Sequence, residues 1–200
     1  MLNNESKNTK KLLAESFKKQ LLKHPFEKIT IKMITDDAGV IRPTFYNYYR
    51  DKYEVFEHII DEELMGVAYA LIDNSMEREA IKMVFTYFDR NRFFYQEAFK
   101  VEGQNSFEGI LFNRITGLFK KIIKKHTTTI ENDSILTVEN LARYYSTGMV
   151  YILKMWLFEE RFLKVTPEEM FNAYMFIITH SILEIIHQQA WLSLYKLLYL

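Results

Sequence analysis

The sequence predicts an all-α fold, and three observations predict it. Only 6 glycines and 3 prolines punctuate 200 residues, which favours long helices joined by short connections. Apolar side chains recur at helical spacing, beginning with Leu12, Leu13, Phe17, Leu21 and Leu22. Apolar residues make up 48% and aromatics 16% of the chain, enough to bury a core and too many for a disordered polymer.

The first predicted helix spans roughly 5–24, with lysines at 7, 10, 11, 18, 19 and 23 around its apolar stripe. Pro25 ends it, because proline cannot donate to the helix and biases His24 away from helical geometry. The second helix starts at Thr30, whose hydroxyl can cap free amides, carries Ile31, Ile34 and Ala38 inward, and stops at Gly39 as a C-cap. A short third helix follows almost at once, with Pro43 in its first turn and "TFYNYY" unbroken after it. Helix, glycine turn, helix is the grammar of a helix-turn-helix. Asp51 then caps a longer helix of about 51–73 with Tyr53, Val55, Phe56, Ile59, Ile60 and Leu64 facing inward.

Five more helices are expected at roughly 75–90, 91–100, 106–126, 134–159 and 166–189, the last opening on Thr166-Pro167-Glu168-Glu169. The expected organisation is a three-helix head, residues 1–52, joined through the 51–73 helix to a helical body, residues 53–200.

Net charge is zero, but residues 1–52 hold eleven Lys and Arg against six Asp and Glu, and the remainder holds fifteen against twenty. A basic head on an acidic body points to a polyanion-binding N-terminal segment. There is no cysteine, which excludes disulfide and thiol chemistry. The start "MLNNESKNTKK" is polar, so a cytoplasmic address is expected. The apolar stretch near the end is interrupted by His180, Glu184, His187, Gln188 and Gln189 and does not read as a membrane span.

Enzyme signatures are sparse. No glycine-rich phosphate loop and no H-E-x-x-H motif occurs, and no nucleophile motif stands out. Glu184 and His187 form an E-x-x-H pair, as in di-iron bundles, but a second copy and two further inward carboxylates are missing. No cofactor, no metal and no catalytic residue is expected, with a metal-binding bundle enzyme as the remote alternative.

The segment "ITIKMITDDAGVIRPTFYNYYRDKYEVFEHI" resembles the TetR family of bacterial transcription regulators at Thr30, Ala38-Gly39-Val40, Thr44-Phe45-Tyr46, Tyr49 and Lys52. "IRPTFYNYYRDKYE", "NRFFYQEAF" and "YYSTGMVYILKMWL" look like the branch that contains regulators of dihydroxyacetone kinase operons. The resemblance implies a sequence-specific DNA-binding regulator, acting as a homodimer on an inverted-repeat operator and modulated by a small-molecule effector in its body. A protein co-regulator in place of the small ligand is the alternative.

The residues of the head agree with that expectation. A recognition helix must present its leading side chains to a major groove about 12 Å wide, and Arg42, Pro43 and Thr44 lead here. Arg42 suits the O6 and N7 of a guanine, and Pro43 and the Thr44 methyl suit a thymine methyl or sugar. Asn47 and Tyr48 are the next candidates. By resemblance Tyr46 contacts phosphate and Lys52 opens helix four, while Thr30 and Lys32 start helix two; these would clamp the backbone without reading sequence. Phe45, Tyr49, Tyr53 and Phe56 are assigned to the core by periodicity. Ile41 departs from the family pattern, which favours a small polar cap there. Either the third helix is poorly capped or Ile41 staples it to the core.

In the body, Gly148 sits among small residues that permit close helix approach, and Ile177, Ile178, Ile182, Ile185 and Ile186 form an apolar stripe too large for one small core. Gly148, Ile178, Ile182, Ile185 and Ile186 are therefore the dimerisation candidates. Phe88, Phe94, Phe112, Tyr144, Tyr145, Tyr151 and Trp156 are the effector-pocket candidates, with His126, Arg143, Lys154 and His180 as polar anchors.

Overall fold

A computed structural model describes residues 2–126 and 135–186 of the chain, the side chains from residue 6 onward. The described residues form helices joined by short turns and loops, without a strand. α1 (Leu2–Leu21), α2 (Ile31–Ala38) and α3 (Arg42–Tyr46) form the head. α4 (Lys52–Ile60) passes through a π turn (Asp61–Met65) into α5 (Gly66–Asp73), so the linker is one run with an irregular middle. The body continues with α6 (Glu77–Arg90), α7 (Arg92–Ala98), α8 (Phe107–His126), α9 (Val138–Phe158) and α10 (Pro167–Thr179).

Local chemistry explains most boundaries. Thr30 accepts from the Met33 amide at 3.2 Å to start α2, and Gly39 ends it at φ 70°, a left-handed conformation that glycine adopts at no cost. Asp51 caps α4 by accepting from the amides of Tyr53 and Glu54. Thr137 caps α9, which therefore begins a few residues later than the 134 expected.

The expected single helix of 166–189 is corrected. α10 opens with a full capping box between Thr166 and Glu169 but ends at Thr179, and a new helical run covers 182–186. The break has a local cause: the Glu184 amide donates to the Ser181 hydroxyl at 3.1 Å while the Glu184 carboxylate accepts from the Ser181 amide. Ser181 and Glu184 thus form a second capping box inside an apolar run, with Glu184 Oε2 as the acceptor. His187 lies outside the described residues.

One apolar core runs through head and body. Phe17 of α1 meets the Phe56 ring of α4 edge-on at 4.9 Å, and Phe56 in turn touches Phe94 and Phe107 of the body at 6.2 and 5.3 Å. Phe45 and Tyr49 are buried as expected and hold α3 onto the head. Ser16 ties α1 to α2 by donating to the Ile34 carbonyl at 2.7 Å.

Candidate nucleic-acid interface

The Gly39 turn delivers α3 with its first residues outward. Ile41 holds the N-cap position without any side-chain bond and is 71% exposed, so it does not staple α3 to the core. Pro43 has no N–H and the Thr44 amide donates to the Ile41 carbonyl at 2.9 Å, so the Arg42 amide is what this end offers an anion, while α2 is capped by Thr30.

Arg42 and Pro43 are exposed and Thr44 is half-buried. The Arg42 guanidinium folds back over the Tyr46 ring at 5.6 Å and donates to its hydroxyl at 3.1 Å. This i, i+4 stack stores the arginine as an extended cation on one helix face. α3 ends at Tyr46, so exposed Asn47 is its C-cap and half-buried Tyr48 lies in the following turn. Neither sits on the helix where the pattern "TFYNYY" had put them. Thr30 and Lys32 are exposed at the start of α2, where Asp36 accepts from Lys32 at 2.9 Å and raises its pKa.

Lys52 differs from the other candidates. Its ammonium turns inward, donating to the carbonyls of Phe26 and of Ile29, the latter at 3.0 Å, and stands 4.0 Å from the centre of the Phe26 ring. Burial pulls its pKa below the ordinary lysine value, and Glu27 opposes that pull. Two of its three donors hold the loop that leads into α2.

The body candidates fall into two sets rather than round one cavity. Phe88, Phe94 and Trp156 are buried in the core: Phe88 stacks on Tyr95 at 4.2 Å, and the Trp156 indole donates to the Val165 carbonyl at 3.1 Å. Tyr144 and Tyr151 face outward, 73% and 64% exposed, on the α9 face that carries Gly148. Phe112 and Tyr145 are half-buried, Phe112 beneath the Arg143 guanidinium. Tyr144, Tyr145, Gly148, Ile178 and His180 line an open cleft of about 660 Å³ between α9 and the end of α10. Ile182 and Ile186 are exposed, and Ile178 and Ile185 are half-buried. The polar anchors are already engaged: His126 with Glu77, Lys154 with Glu108, and His180 stacked on Phe176. No described helix is long and apolar enough to cross a membrane.

Comparison with known proteins matches two family models. Residues 18–59 match "Bacterial regulatory proteins, tetR family" and residues 73–180 match "Transcriptional regulator C-terminal region". A curated relative from Lactococcus lactis subsp. lactis (strain IL1403), described as the HTH-type dhaKLM operon transcriptional activator DhaS, is 25% identical over 115 residues. That match covers 58% of this chain and about three-fifths of the relative's length. A solved structure titled dihydroxyacetone kinase operon activator DhaS aligns with a TM-score of 0.63 at 21% identity, covering 86% of this chain and 94% of that one. A TetR transcriptional regulator from Streptococcus agalactiae 2603V aligns with a TM-score of 0.59 at 18% identity, over 88% of this chain and 96% of that one.

Proposed function

The chain belongs to the TetR family of transcriptional regulators, and on that premise we propose that it binds an inverted-repeat operator as a homodimer, with occupancy set by an effector acting on the body. The observation that carries the DNA reading is the exposed start of α3, where Arg42 and Pro43 lead out of a glycine turn with no capping side chain. Two such heads would meet half-sites one DNA turn apart, roughly 34–36 Å. Thr30, Lys32 and Tyr46 hold phosphates, Arg42, Pro43, Thr44, Asn47 and Tyr48 face base edges or sugars, and Lys52 fixes the approach of α2 from within. The exposed faces of α9 and of 176–186 supply the dimer surface through Gly148, Ile178, Ile182, Ile185 and Ile186. Similarity to a dhaKLM operon activator supports a place in the branch of dihydroxyacetone kinase operon regulators.

One observation favours a protein co-regulator over a small ligand. Phe88, Phe94 and Trp156, the aromatics suited to a pocket wall, are packed in the core against Tyr95, Phe56 and Phe85 respectively. A ligand among those three rings would have to displace their packing, whereas a protein partner needs only a surface.

A gel shift at stated salt with DNA from upstream of the chain's own gene tests the reading. Arg42→Ala should relax base preference at one operator position, at a cost of about 1–3 kcal/mol for the preferred base. Tyr46→Phe should weaken every sequence alike. Wild-type protein that binds no inverted repeat in that region would overturn the operator reading.

A further inference from the structure

A second polar chain, away from the proposed DNA surface, runs from the head into the body. Glu63 lies in the π turn and its two carboxylate oxygens have different donors. Oε1 accepts from the Lys18 ammonium on α1, and Oε2 accepts from the Tyr87 hydroxyl on α6 at 2.9 Å. Tyr87 in turn accepts from the Tyr95 hydroxyl on α7 at 2.7 Å, and Tyr95 is fully buried. Only 15% of the Lys18 side chain is exposed, and its other carboxylate, Glu15 on the same helix, stands at 4.0 Å, so Glu63 is the partner that ties Lys18 to the body.

The π turn makes this possible. An extra residue in a helical turn rotates the following side chains by about 100°, and here the same short turn serves two sides of the molecule. Asp61 accepts from Arg114 of α8 at 2.7 and 3.0 Å, and Arg114 also reaches Glu57 of α4 at 3.0 Å, which pins α4 to the body. Glu63, two residues on, reaches α1 instead. From α1 the link continues into the DNA-facing helices through Ser16 and the Ile34 carbonyl of α2, and through the Tyr49 hydroxyl, which donates to the Lys10 carbonyl at 3.4 Å.

We propose that Glu63 is a positioning residue for operator binding, a two-sided carboxylate that sets the angle of the head according to the packing of α6 and α7. A shift of Tyr87 or Tyr95 withdraws a donor from one oxygen, loosens the Lys18 bond and lets α1 swing with α2 and α3. An ion pair that merely added stability would leave the head's angle unchanged. The consequence for DNA rests on the operator reading above; the consequence for geometry does not.

The test uses the full chain, which holds no cysteine. Lys28→Cys in the head and Asn113→Cys on α8, both exposed positions, take spin labels. Pulsed electron resonance on labelled protein diluted in excess unlabelled protein then reads the head-to-body distance within one chain. Wild type should give one population. Glu63→Gln and Tyr87→Phe should each add a second, shifted population, and Lys18→Arg alone, which keeps the ion pair, should retain the single one. In parallel, operators with half-site spacing varied base pair by base pair should show a spacing preference that Glu63→Gln flattens, with base preference at the Arg42 position retained. Wild-type distance distributions for both Glu63→Gln and Tyr87→Phe would overturn the proposal, whatever happens to their melting temperatures. Tyr87→Phe loses a single hydroxyl and serves as the decisive variant if Glu63→Gln fails to fold. Absence of wild-type DNA binding would overturn the operator reading alone, because the distances still decide the role of Glu63.

Discussion

Replacing Lys52 by methionine keeps the aliphatic stem over Phe26 and removes only the ammonium, so it separates the two jobs a lysine at the start of α4 can have. The ammonium donates to the carbonyls of Phe26 and Ile29 and faces the Phe26 ring. Hydrogen bonds to a charged group contribute about 1.5–3 kcal/mol each, and a cation over a ring about 0.5–1 kcal/mol at a partly exposed site. Solvent screening at a half-buried lysine discounts that sum, which leaves a net loss of about 2 kcal/mol. For a chain of this size each kcal/mol lowers the melting point by about 2–4 °C, so Lys52→Met should melt roughly 4–8 °C below wild type. Thermal unfolding followed by far-ultraviolet circular dichroism checks this. The DNA arm goes the other way: Lys32→Ala, at an exposed position, should reduce the slope of log affinity against log salt by about 0.9 per subunit, and Lys52→Met should leave it almost unchanged. A Lys52→Met protein that melts with wild type and loses a full unit of salt slope would refute the inward role.

Three other outcomes are expected. Phe56→Ala removes a ring buried between Phe17, Phe26, Phe94 and Phe107 and should cost about 3–5 kcal/mol in denaturant unfolding; a loss under about 1 kcal/mol would contradict a core shared by head and body. Burial, then Lys10, holds the His58 pKa below 6.5, against Glu62, Asp61 and Glu63, which raise it. The unfolded chain therefore takes up that proton first, and the stability His58 contributes is present above about pH 6.5 and lost as pH falls toward the folded pKa. Melting points of wild type should fall more steeply than those of His58→Gln across this window, and parallel curves would refute the assignment. A Cβ at Gly148 meets nothing within 4 Å in the single chain, so Gly148→Leu should gain up to about 1 kcal/mol of helix propensity in the protomer. It should nonetheless weaken the dimer in sedimentation velocity, and an unchanged dimer would remove Gly148 from the interface.

What the sequence made legible is what short-range chemistry controls. Gly39 and Pro43 impose the turn and the start of α3 whatever surrounds them, and Thr30, Asp51 and Thr166 cap helices through bonds spanning two or three residues. The break at His180–Ser181 had a local signal too, the Ser181 to Glu184 spacing, but the surrounding isoleucines extend the helical period across it and mask the cap. The π turn at Asp61–Met65 had none, because no residue type there forbids a regular helix and packing against α1, α6 and α8 selects the irregular one. Lys18 and Glu63 lie 45 residues apart, and only the folded chain shows that they meet. The inward turn of Lys52 was hidden in the same way, since its acceptors are backbone carbonyls that every sequence has.

The aromatics of α9 divide by face, and that division bears on the proposed dimer surface. Met149, Leu153, Trp156 and Leu157 fill the core, while Tyr144, Gly148 and Tyr151, and Phe158 two turns further on, lie on the opposite side. Phe176, Ile177, Ile182 and Ile186 extend the exposed apolar surface across α10 and the run after it. Apolar area left in water forfeits about 25 cal/mol per Å², so two adjoining helices with such faces favour a covering surface. Arg92 and Gln96 of α7 donate to the α9 carbonyls of Trp156 and Leu157 at 3.0 and 2.6 Å, which ties α9 to α7 behind that face. α7 also carries Tyr95, the inner end of the chain that reaches Glu63 and Lys18. A displacement of α9 thus has a bonded route to the head that needs no ligand inside the core. A small molecule placed inside the core would instead have to separate the Phe88 and Tyr95 rings, stacked at 4.2 Å.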